Sequence, residues 1–110
     1  MEPFEELTSL DKLVHEPARL AIMTALAACE RADFLYIQRI TGLTKGNLSG
    51  HISRLEKGEL LTVEKDFDGK IPRTTLALTE KGRETIVAYW EQMERLREAV
   101  DRWRPGEAPA

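Results

Sequence analysis

The chain has 110 residues, 42% of them hydrophobic and 32% charged, which suits one soluble globular domain with a modest core. No apolar run approaches a membrane span, the opening M-E-P-F-E-E is acidic and unlike a secretory leader, and the single cysteine excludes an intrachain disulfide, so a reducing, cytoplasmic setting is expected. The net charge of −3 is uneven: residues 1–37 balance to −4, residues 38–73 to +2 and residues 74–104 to zero, so a nucleic-acid partner is expected only at the middle third, with moderate affinity.

Met1–Ser9 reads as a frayed lead into a short helix. Leu7, Leu10, Leu13 and Val14 have helical spacing, with Thr8 or Ser9 as the cap. Pro17 fits the first turn of a helix over Ala18–Ala28, which buries Leu20, Met23 and Leu26/Ala27. Cys29 ends it as a small core-facing residue, with no second cysteine or histidine cluster to pair with. Arg31–Ala32–Asp33 reads as a turn and Phe34 as a very short strand. Leu35, Ile37, Ile40 and Leu43 carry a helix over Tyr36–Thr41.

Gly42 suits the left-handed residue that ends that helix, and Thr44 is a good N-cap, with Leu43 and Leu48 forming a hydrophobic staple. Tyr36–Thr41, a short turn and Thr44–Lys57 therefore make a helix-turn-helix with its second helix in the reading position. In that helix Leu48, Ile52 and Leu55 recur at i, i+4, i+7 and face inward. Gly46, Gly50, Ser53 and Arg54 lie opposite, flanked by Asn47 and Ser49, and no carboxylate appears until Glu56. Two glycines cost a helix roughly 1 kcal/mol each relative to alanine. A large partner that must approach the backbone closely accounts for that cost; the plainer alternative is a surface helix that tolerates them.

Gly58 closes the helix, and Leu60, Leu61 and Val63 begin a strand. Leu61–Phe67 and Arg73–Thr79 read as a hairpin, with Thr74, Leu76 and Leu78 alternating with Arg73, Thr75 and Ala77. Asp68-Gly69 marks a tight turn, and Pro72 makes the hairpin an edge ribbon. Its tip offers Lys65, Lys70 and Arg73 to a phosphate backbone, opposed by Asp66 and Asp68; the alternative is a plain solvated hairpin.

Thr79 caps a last helix over Glu80–Arg102. Ile86, Met93 and Val100 repeat at seven, as do Tyr89, Leu96 and Trp103, and Trp90 joins that side. A helix this long outruns its core, so burial against a second copy is expected, with Leu7, Leu10 and Val14 contributing. The alternative is a helix folded back on the N-terminal helices of its own chain. The fold class is thus mainly α with a small β-hairpin: one domain over 1–104, with a helix-turn-helix core at 10–79, a dimerisation helix at 80–104 and a disordered tail at 105–110.

The order of elements resembles the winged helix-turn-helix transcriptional regulators of the MarR/ArsR kind, in their small single-domain form. The carrying phrases are H-E-P-A-R-L-A-I-M at His15–Met23, T-G-L-T-K-G-N-L-S-G-H-I-S-R-L-E at Thr41–Glu56 and L-T-E-K-G-R-E at Leu78–Glu84. The resemblance implies a homodimer that binds double-stranded DNA. The helix Thr44–Lys57 would enter the major groove, and the wing around Gly69–Arg73 would touch the minor groove or backbone. Lys45, Asn47, Ser49 and Arg54 would then be the groove contacts, with Arg54 on a guanine edge, Asn47 on an adenine, and Thr44 and Lys70 on phosphates. His51, nearer the core edge, reads as structural or as a phosphate contact.

ArsR-type metal sensors carry a Cys-x-Cys or paired His/Asp ligands that this chain lacks, so neither metal nor cofactor is expected. MarR proteins often take small aromatic ligands, and Tyr36, Tyr89 and Trp90 could line such a site, although core packing is their commoner role. No effector identity follows. An adaptor that binds protein rather than DNA is the competing reading, in keeping with the acidic balance. An enzyme finds no nucleophile–base arrangement, carboxylate pair or phosphate loop to support it.

Overall fold

The computed structural model describes residues 2–104 and 106; the expected tail at 105–110 lies, apart from Gly106, outside them. Helix α1 (Pro3–Thr8) starts on Pro3 and is stopped by its own hydroxyls: Thr8 Oγ1 donates to the Glu5 carbonyl (2.7 Å) and Ser9 Oγ to that of Glu6 (3.0 Å). The helical spacing that runs from Leu7 to Val14 therefore does not continue as helix beyond Thr8. Residues 9–16 turn instead, with Asp11 Oδ1 accepting from Leu13 N at 2.9 Å, and the loop still buries Leu10 and Val14. Helix α2 (Pro17–Ala27) has Glu16 as N-cap and buries Ile22, Met23 and Leu26, together with Arg19.

Strand β1 (Ala32–Asp33) replaces the expected turn, and Phe34 opens helix α3 (Phe34–Thr41) rather than forming a strand. The reason is local. Asp33 Oδ1 accepts the N–H of Leu35 (2.8 Å) and Tyr36 (3.1 Å), so the cap sets the start of α3 two residues before Tyr36. The turn into helix α4 (Lys45–Lys57) follows expectation: Gly42 is left-handed at φ 72°, and Thr44 Oγ1 accepts from Asn47 N at 3.1 Å. At the far end the left-handed residue is Glu59 (φ 63°), not Gly58. A Cβ at Gly58 would meet the end of the Leu13 side chain, which would have to shift.

Strands β2 (Leu61–Asp68) and β3 (Ile71–Leu78) pair antiparallel along their whole length around the Gly69–Lys70 turn. With β1 pairing Ala32 to Leu76 and Asp33 to Thr75, the hairpin is part of a three-stranded sheet of order β1-β3-β2. Pro72 is in β3, opposite Phe67 and beyond the reach of β1. Helix α5 (Glu80–Arg102) is capped by Thr79, whose Oγ1 accepts from Gly82 N (2.9 Å) and donates to the Glu59 carbonyl (2.7 Å). Any Cβ at Gly82 would collide with the Leu60 carbonyl, so the first turn of α5 is pressed onto the backbone that precedes the wing.

Along its length α5 packs first on α2 and then on α1. Arg83 donates to the Ala27 (3.1 Å) and Cys29 (3.4 Å) carbonyls, Trp90 Nε1 to Thr24 Oγ1 (3.0 Å) and Gln92 Nε2 to Glu6 Oε1 (3.1 Å). Phe4 meets Trp103 edge-on at 4.8 Å. This corrects the expected dimer seam. Leu10, Val14, Ile86, Tyr89 and Leu96 are buried by the chain itself, because α5 folds back on its own N-terminal segments. Leu7, Met93 and Val100 remain half-buried, and Trp90 and Trp103 are exposed. The molecule is long, 66 × 26 × 22 Å, with a radius of gyration of 17.5 Å against about 13 Å for a compact chain of this length. Among the described residues no helix is long and apolar enough to cross a membrane.

Candidate nucleic-acid interface

Helix α4 buries Leu48, Ile52 and Leu55 and leaves Lys45, Gly46, Asn47, Ser49, Gly50, Ser53 and Arg54 exposed, as is its cap Thr44. The structure thus brings this part of the expected site onto one surface. Among the described residues nothing outside the helix's own backbone lies within 4 Å of a Cβ built at Gly46 or Gly50, so their packing does not demand glycine at either place. At 100° per residue the exposed surface has two flanks. Lys45, Ser49 and Ser53 turn toward the wing and line a groove with Val63, Lys65 and Thr74. Asn47, His51 and Arg54 form the other flank.

The strand register sorts the wing's charges by face. Lys65 and Phe67 continue the side of β2 that Leu61 and Val63 present to the core, opposite Thr74 and Pro72 on β3. Asp66 and Arg73 face each other on the other side of the ribbon. There Arg73 donates from Nε to Asp66 Oδ1 and from Nη2 to Oδ2, both at 3.0 Å. That bidentate bond, reinforced by the charge of Arg73, holds the Asp66 carboxyl below the usual carboxylate range and raises Arg73 in turn. Arg73 is therefore balanced within the wing, on the other face of the ribbon from Lys65, which lines the groove; Lys70 stands at the turn. Phe67 and Ile71 are each 69% exposed near the tip.

Below the His51 flank lies a polar cluster with little local signal in the chain. Arg19, the buried cation of α2, donates from Nε to the Leu13 carbonyl (2.6 Å), from Nη2 to that of Lys12 (3.3 Å) and from Nη1 to His51 Nδ1 (3.2 Å). Glu16 Oε2 accepts from Arg19 N at 2.9 Å and stands 3.6 Å from His51 Nδ1. Burial works to raise the Glu16 carboxyl, but the backbone donors of Arg19 and Ala18 and the neighbouring His51 and Arg19 outweigh it, leaving the group below its ordinary range. The one available signal was an arginine inside the otherwise apolar run A-R-L-A-I-M.

Of the aromatic residues considered for a ligand site, Tyr89 and Trp90 meet edge-on at 5.3 Å. The Tyr89 hydroxyl is 2.7 Å from His15 Nδ1, and burial raises its phenol. Tyr36 is on α3 with Arg39 above its ring, so the three do not form one cluster through these contacts. Cys29 is half-buried and its Sγ donates to the Ala25 carbonyl. Among the described residues no group of three or more His, Cys, Asp or Glu is placed to hold a metal ion.

Residues 18–97 match the model of a family described as a winged helix DNA-binding domain. An uncharacterised protein of Methanocaldococcus jannaschii is 30% identical over 79 residues, covering 71% of this chain and 85% of that protein. A transcriptional regulator homologue from Pyrococcus horikoshii superposes with a TM-score of 0.83 at 31% identity, over 92% of this chain and 99% of its own. A MarR-like transcription regulator from Bacillus cereus superposes at 0.66 with 19% identity, over 94% and 78% of the two chains, a likeness of fold.

Proposed function

Since this chain belongs to the winged helix DNA-binding domain family and has the fold of MarR-like transcriptional regulators, we propose that it is a sequence-specific, double-stranded-DNA-binding regulator that acts in the cytoplasm as a homodimer. In this reading α4 enters the major groove. Arg54 reaches a guanine edge and Asn47 an adenine, Lys45, Ser49 and Ser53 follow the groove, and Gly46 and Gly50 let the backbone approach. Thr44, Lys65 and Lys70 meet phosphates, and Arg73 joins them only by giving up Asp66. The observation that carries the reading is the outward face of α4, which is exposed, free of carboxylates as far as Glu56, and open at two glycines the fold does not require.

Residues 10–79 form the DNA-binding unit and α5 the dimer contact. The dimer face is the side of α5 that the chain leaves uncovered: a groove of Leu7, Trp90, Met93 and Val100, flanked by Glu94 and Arg97. Two recognition helices related by a two-fold axis would meet half-sites ~34 Å apart, so the operator is a near-palindrome. Selection of random duplexes on the purified protein tests this. Enrichment of a palindrome that Arg54→Ala no longer recovers supports the reading; no enrichment by the folded wild type overturns it. The adaptor reading draws on exposed Leu35, Tyr36 and Ile40 on α3, and it predicts partner binding that survives loss of Arg54 and Lys70.

A further inference from the structure

We propose that His51 is a DNA-backbone ligand that presents its Nε2–H, and that Arg19 is the positioning residue that fixes this tautomer; the inference rests on the DNA-binding reading above. A guanidinium can only donate. Arg19 Nη1 lies 3.2 Å from His51 Nδ1, so Nδ1 must offer its lone pair and the neutral ring carries its proton on Nε2. The alternative donor geometry is poor. Glu16 Oε2 is 3.6 Å from Nδ1, beyond a hydrogen bond, and already accepts from Arg19 N. Nor is the guanidinium free to swing away, because the Leu13 and Lys12 carbonyls hold its other nitrogens.

The opposite side of the ring is free. His51 Nε2 has no hydrogen-bond partner among the described residues and is not fully enclosed, the side chain being 19% exposed. It lies on the flank of α4 where Asn47 stands at i−4 and Arg54 at i+3. A phosphate drawn to that flank meets a donor whose direction is set before binding. The charge of Glu16 beside it is countered by Arg19, 3.8 Å away.

Two measurements test the proposal. Imidazole nitrogen shifts in the free protein should show the Nε2–H tautomer at His51; an Nδ1–H tautomer overturns it. Binding to the duplex recovered by selection should stay within about threefold of wild type in His51→Gln, whose amide nitrogen reaches near the Nε2 position. It should fall about tenfold in His51→Asn, whose amide does not. Arg19→Gln should mix the two tautomers while Asn47 and Arg54 stay in place; the His51 variants carry the test if Arg19→Gln does not fold. If the wild type binds and His51→Asn binds equally well, this inference fails and the DNA-binding reading stands. If the wild type binds no duplex, both fail.

Discussion

Gly46 and Gly50 stand in α4 with open space where a side chain would begin. Alanine at either position should raise stability by about 1 kcal/mol in thermal melts, since it removes the helix penalty without a clash. If DNA lies against that surface, the same substitutions should weaken duplex binding; stabilised variants that bind unchanged would show that the glycines are merely tolerated. Glu16 gives a pH prediction. Its folded carboxyl ionises below the unfolded value of ~4.3, so its stabilisation is complete above that pH and is lost as pH falls through the lower folded value. Wild type and Glu16→Gln should therefore differ in melting temperature at neutral pH and converge near about pH 2.

At the scale of elements the wing is the informative case. Period-2 alternation was enough to find the ribbon, while the turn expected at Asp68-Gly69 falls one residue later, at Gly69–Lys70, because Asp68 still pairs with Ile71. Which cations serve the α4 side depended on register, because a shift of one residue exchanges the two faces. Lys65 was one of three candidates and lines the groove; Arg73 is across the ribbon with Asp66. Replacing Lys65 or Lys70 by alanine should make the dependence of log affinity on log salt shallower by about 0.9 per site. Asp66→Asn should steepen it by a similar amount, because Arg73 is then released to find a phosphate. A salt titration on one duplex reads all three. The α1–α2 loop is the converse case: Leu10, Leu13 and Val14 keep helical spacing from Leu7 but lie beyond the end of α1, because Thr8 and Ser9 satisfy the carbonyls that would have continued the helix.

At the scale of the molecule, α5 is divided between two duties. Its Ile86, Tyr89 and Leu96 complete the chain's own core, while Trp90, Met93 and Val100 border the uncovered groove. Leu96→Ala should cost about 2–5 kcal/mol of fold stability by opening a cavity. Trp90→Glu should leave the helix content unchanged and shift the proposed dimer to monomer, read by sedimentation at several concentrations. A dimer that persists with a charge at the centre of that groove would place the contact elsewhere.

Local chemistry alone determined the helix-turn-helix and the hairpin after it, the caps at Thr44 and Thr79, the left-handed Gly42 and the inward face Leu48–Ile52–Leu55. Each depends on residues a few positions apart, whose spacing and hydrogen-bonding capacity are legible in one dimension. Tertiary structure decided what depends on distant partners: the pairing of β1 with β3, the collision that makes Gly82 obligatory, the seating of Arg19 beneath His51, and the part of α5 that its own chain covers. A hydrophobic stripe shows that burial is needed, and nothing local says which surface supplies it.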